Sequence, residues 1–109
     1  MAEDSELPMR QLTIPEPAFR DANAVEMLRV WIAEEGLHCS IKIGVYRDMD
    51  IPEEKAWGII LGDVARHIAN GLQEQGADSE VSLRRILDSL IDELGEPTSD
   101  VRGGFVSKH

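Results

Sequence analysis

An α+β domain in ββαα order is the fold this sequence predicts: a long antiparallel hairpin with two helices packed on one face. Two hydrophobic periodicities and a set of stops carry that prediction. Over residues 28–45 apolar residues alternate with polar ones, the period of a half-buried strand. Over 57–72 and 83–94 they recur at i, i+3 and i+4, the period of an amphipathic helix. Gly76, Gly95 and Pro97 close those helical runs. A chain of 109 residues, 42% of them hydrophobic, is one domain's worth with enough apolar side chains for a core.

Residues 1–24 contain Pro8, Pro15 and Pro17 and no sustained period, so they read as a flexible arm. Leu12-Thr13-Ile14 is its one strand candidate, and Pro15 stops it early. Residues 25–96 form the domain. In its first strand Leu28, Val30 and Ile32 alternate with Arg29, Trp31 and Ala33. In its second, Leu37, Cys39, Ile41, Ile43 and Val45 alternate with His38, Ser40, Lys42 and Gly44. Placing every aliphatic on one side predicts Ile32 opposite Cys39, Val30 opposite Ile41 and Leu28 opposite Ile43. A two- or four-residue loop from Glu34-Glu35-Gly36 closes this hairpin, with Gly36 taking a positive φ.

After a polar loop, Asp50, Pro52 and Glu53 predict a helix start, with Asp50 as cap and Glu53 completing a capping box. The helix extends to about Gln75, with Trp57, Ile60, Leu61, Val64, Ile68 and Leu72 as its apolar stripe. Gly58, Gly62, Ala65 and Ala69 form a neighbouring small-residue stripe. An interior glycine costs about 1 kcal/mol relative to alanine. Close packing on the second helix of the same chain is the expected compensation, ahead of a dimer seam. That second helix starts after Asp78 or Ser79 and presents Leu83, Ile86, Leu87, Leu90, Ile91 and Leu94 on one face. Residues 97–109 are a tail in which Phe105 and Val106 can dock. A two-stranded sheet is marginal in water. Extension by the arm, by the tail, or by a second subunit's hairpin across a two-fold axis is therefore expected.

The net charge is −10, and residues 77–96 alone carry six acids and two bases. That field disfavours nucleic-acid phosphate and anionic membrane. No run of residues is long and apolar enough for a membrane span, and Met1–Asp4 do not open a signal peptide. A single cysteine excludes an intramolecular disulfide framework. A cytoplasmic protein is the expectation.

Leu28-Arg29-Val30-Trp31, the Gly36-Leu37-His38 turn and the run from Trp57-Gly58 through Asp63-Val64-Ala65-Arg66-His67 to Ala69 resemble a family. It comprises short bacterial proteins of about this length, described only as a domain of unknown function. The resemblance covers roughly residues 20–76. It implies a bacterial setting and supplies no activity and no catalytic residues.

Two constellations are candidate sites. Asp63, Arg66 and His67 share a helical face at i, i+3 and i+4 spacing, which suits a charge-tuned histidine or an anion contact. The plainer reading, a solvated ion-pair face, is the favoured one. Arg29, Trp31, His38, Ser40 and Lys42 occupy the outer hairpin face, with Trp31 predicted opposite Ser40, Arg29 opposite Lys42 and Ala33 opposite His38. An indole beside bases suits a subunit or partner interface. An amphipathic cluster covered by the arm or tail is the equal alternative, and two bases are too few for a nucleic-acid platform. Asp88, Asp92, Glu93 and Glu96 make an acidic helix side that reads as solubility. Cys39 reads as a small core hydrophobe. His38, His67 and His109 lack metal-site spacing, so no metal or cofactor is expected. The function predicted is a non-catalytic interaction or accessory module acting as a homodimer, with another protein as a further partner. Small-ligand binding or catalysis on the Asp63/Arg66/His67 face is the alternative.

Overall fold

A computed structural model describes residues 10–106 of the chain. The order is α1 (Glu16–Arg20), β1 (Leu28–Ala33), β2 (Gly36–Lys42), α2 (Glu53–Gln73), α3 (Ser79–Gly95) and β3 (Val101–Val106). The class is α+β, with the hairpin preceding the two main helices as expected. The arm differs. Residues 10–15 are extended without forming a strand, and the short α1 follows them, started by Pro15 and Pro17. Residues 1–9 and 107–109, and with them Pro8 and His109, lie outside the described residues.

β1 and β2 pair antiparallel, with Leu28 opposite Ile41, Val30 opposite Cys39 and Ile32 opposite Leu37. The expected register is displaced by two residues. A two-residue slip returns every side chain to its own face, so hydrophobic alternation cannot distinguish the two registers. The turn decides. Glu34 and Glu35 form a two-residue connection with φ of 51° and 61°, the twist-matched hairpin geometry. Gly36 therefore sits in β2 opposite Ala33, and the left-handed conformation expected of it falls on two glutamates instead.

The sheet is completed by the tail. β3 lies parallel to β2, with Leu37 beside Val101, Cys39 beside Gly103 and Ile41 beside Phe105. A parallel neighbour requires a crossover, and the α2–α3 pair provides it. Gly103 carries φ +126°, and a Cβ there would collide with the backbone of Cys39. Only glycine permits β3 to lie this close. The strand order β1-β2-β3 leaves the outer edge of β1 unpaired among the described residues.

α2 starts at Glu53 with Pro52 at its cap position and no side-chain cap, so the expected Asp50–Glu53 capping box does not form. α3 is capped as predicted: Asp78 Oδ1 accepts from Glu80 N at 2.9 Å and Val81 N at 3.1 Å. Gly76, at φ +101°, lies in the turn between the helices. α2 and α3 pack on each other near this turn, where Ala65 and Ala69 are buried. The expected packing of both helices on the hairpin is not close: no Cα of either helix comes within 8 Å of a strand Cα. The small residues draw α2 onto α3 rather than onto the sheet, and the aliphatic sheet face stays open at Val30, Ile32 and Phe105.

The consequence is a large surface. The chain exposes 9584 Å², where a folded monomer of 12.1 kDa exposes roughly 6,000 Å². Its radius of gyration is 16.5 Å, against about 13 Å for a compact domain of this length. Among the described residues, the buried hydrophobic ones are three alanines, Ala56, Ala65 and Ala69.

Candidate functional site

The joint between sheet and helices is built on Glu53. Its carboxylate accepts from Gly44 N at 3.1 Å, Tyr46 N at 3.3 Å and Trp57 Nε1 at 3.1 Å. Those bonds tie the segment leaving β2 to the first turn of α2. Gly44 is buried with φ +98°, which sends the chain away from the sheet at that point. The backbone N–H of Gly44 foremost, then the Trp57 indole, the Tyr46 N–H and the nearby Arg47 charge, hold the Glu53 carboxyl below the ordinary glutamate range. Sequence reasoning placed Glu53 in a capping box. The Glu53–Trp57 spacing of four was the available sign of its actual role.

The polar face of the sheet carries the second candidate. The observed register sets Trp31 opposite His38 and Arg29 opposite Ser40, in place of the predicted pairs. Ala33 pairs with Gly36, although His38 Nε2 still reaches the Ala33 carbonyl oxygen at 3.2 Å. Arg102 of β3 lies beside His38, with its guanidinium near Gly36. It is the residue that sequence reasoning missed. Its sign was the alternation of Val101, Gly103 and Phe105 with Arg102, Gly104 and Val106, a strand pattern inside the tail. Arg29 bonds Glu26 at 3.0 Å, which occupies one of the predicted bases. The face thus presents an indole, an imidazole and a guanidinium in one row, with Lys42 further along β2. Trp31 is half-buried. With Arg29 it borders a hollow of about 550 Å³ between β1 and the extended segment 10–15.

The Asp63, Arg66 and His67 face is an open helix surface. Arg66 Nη1 lies 3.5 Å from Asp63 Oδ1, both side chains about two-thirds exposed or more. His67 is exposed, and none of these three residues lines the hollow beside β1. Cys39 is half-buried on the aliphatic sheet face. On α3, Glu93 does not simply face solvent. It accepts from Thr98 N at 2.7 Å and Thr98 Oγ1 at 2.8 Å, which lowers its pKa and fastens the segment leading to β3. Among the described residues, no three His, Cys, Asp or Glu side chains group as metal ligands, and no helix is long and apolar enough to cross a membrane.

A solved structure from the photosynthetic bacterium Rhodopseudomonas palustrus CGA009, provisionally assigned as a pyruvate dehydrogenase, is similar to this chain. The two share 26% identity and a TM-score of 0.62, over 85% of this chain and 91% of that one. No curated protein matches the sequence. The model of a family described as a domain of unknown function matches residues 11–98, which takes in the hairpin, the Glu53 joint and both main helices, and the chain belongs to that family, DUF5076.

Proposed function

We propose that the chain is a non-catalytic interaction module that acts as a homodimer. The observation that carries this reading is the unburied apolar surface. Both the aliphatic sheet face and much of the helical stripes stand open, and exposed apolar area on this scale marks contact surfaces. The row of Trp31, His38 and Arg102 is the surface offered to a further protein, since aromatic and arginine side chains are enriched where binding energy concentrates. A bacterial cytoplasmic setting fits the lone Cys39 and the bacterial source of the similar structure.

The enzymatic alternative takes its cue from the assignment of the R. palustrus protein and would use Asp63, Arg66 and His67. These three side chains stand exposed on a helix face, whereas substrates are held in concave sites, so the interaction reading is preferred. Sedimentation at several protein concentrations tests it. A dimer whose mass holds over a wide concentration range is the expected result, and a monomer throughout would refute it. Trp31→Glu should leave the dimer and the helical circular dichroism intact while abolishing capture of any second protein. Conversion of W31E to a monomer would move the self-contact to the sheet face.

A further inference from the structure

We propose that the open edge of β1 takes up an extended segment of a partner protein, an antiparallel guest strand in which apolar residues alternate with polar ones that include a carboxylate. This goes beyond the homodimer reading and does not need it. The backbone phase of β1 sets the first requirement. Lys42 N donates to the carbonyl oxygen of Met27 at 3.0 Å, in the same register that pairs Leu28 with Ile41. Bonded and non-bonded pairs alternate along an antiparallel ladder, so Arg29, Trp31 and Ala33 turn their N–H and C=O groups to β2. Leu28, Val30 and Ile32 turn theirs outward. Among the described residues, no backbone hydrogen bond joins residues 10–15 to this edge. A row of outward donors and acceptors at strand spacing is matched by another extended backbone. The outer edge of β3 is a poorer template, because Gly103 at φ +126° interrupts its extended backbone.

The hollow beside β1 fixes the kind of guest. It lies against Leu28–Trp31 on one side and residues 10–15 on the other, and its volume is about 550 Å³. A strand in a sheet occupies roughly 160 Å³ per residue, from its rise, its spacing and the thickness of a sheet. The hollow therefore holds roughly three to four residues of one strand, the length of edge that it borders. A second copy joining edge to edge would bring its own β2 to where the wall of residues 10–15 stands, whereas a single strand fits inside that wall. Directly opposed residues of paired strands share a face. A guest thus places alternate apolar side chains beside Leu28 and Val30 and the intervening ones beside Arg29 and Trp31. The charge of the lining is complementary to a carboxylate. It carries the guanidinium groups of Arg10 and Arg29 and the carboxylate of Glu26, whose bond to Arg29 leaves the charge of Arg10 in excess. Six of the chain's acids lie in residues 77–96, on and around α3, which stands off the sheet.

The test uses the full chain and the peptide Val-Glu-Val-Thr-Val, fluorescein-labelled at its N-terminus and amidated at its C-terminus. Fluorescence anisotropy should show saturable binding, at least tenfold weaker for Val-Lys-Val-Thr-Val. Val30→Pro removes an outward N–H and none that β2 uses. It should weaken binding at least tenfold while the amides of His38 and Ser40 stay protected from exchange. With the unaltered protein, N-methylation of the peptide's central valine, whose N–H faces β1, should abolish binding, and N-methylation of its threonine should not; this arm decides if V30P fails to fold. Absence of binding, equal binding of the lysine peptide, or equal tolerance of the two N-methyl groups would overturn the proposal. Protection of the Leu28 and Val30 amides in the free chain would overturn it as well. It would assign the edge to residues 10–15 if independent of protein concentration, and to a second copy if it rises with concentration. The sedimentation test of the homodimer reading stands apart from each of these results.

Discussion

Glu34 and Glu35 show how a single dihedral angle settles what a hydrophobic pattern leaves open. Both hold positive φ, a conformation that costs a residue with a Cβ about 1–2 kcal/mol. Asparagine and glycine are the residues that suit this turn. Glu34→Asn with Glu35→Gly should therefore raise the melting temperature by several degrees, as measured by a calorimetric scan. No gain would mean that the turn has a different backbone. Gly103 makes the opposite case. Its φ of +126° and its nearness to the Cys39 backbone leave no room for a methyl group. Gly103→Ala should release β3, seen as faster amide exchange along β2 with α2 and α3 still protected. Unchanged exchange would show that β3 is not held at this position. Glycine's role was invisible in the sequence, where Gly103-Gly104 reads as part of a loose tail.

At the scale of elements, Glu53 and Glu93 anchor the two segments that join helices to strands. Each is held below the ordinary glutamate range, chiefly by backbone N–H donors: Gly44 for Glu53 and Thr98 for Glu93. The sign follows from linkage. A carboxylate with a depressed folded-state pKa contributes stability that is fully present above its unfolded pKa, about 4.3. That contribution is lost as pH falls through the lower folded value. Acid unfolding below pH ~4 should accordingly be steeper in the wild type than in Glu53→Gln, which is also less stable at neutral pH. Denaturant midpoints between pH 3 and 7 would measure this, and parallel pH profiles would argue against the Glu53 joint. The helices themselves were legible: the Asp78 cap, the apolar period and Gly76 placed both within a few residues. The capping box at Asp50 was a false lead, because the Glu53 carboxylate takes two backbone donors across the joint, Gly44 and Tyr46, and the Trp57 indole of its own helix instead of capping the helix end.

For the whole molecule, the decisive quantity is area. Two helices that stand off the sheet and a sheet with one aliphatic face open leave a surface that mass alone would not suggest. Class, helix positions and strand faces followed from periodicity, because local hydrophobic patterns report which side of an element is apolar. The hairpin register, the parallel β3, the Trp31–His38–Arg102 row and the separation of helices from sheet did not. Each depends on which apolar face meets which, and on backbone angles in turns. Several arrangements share the same local pattern, and long-range packing alone distinguishes them.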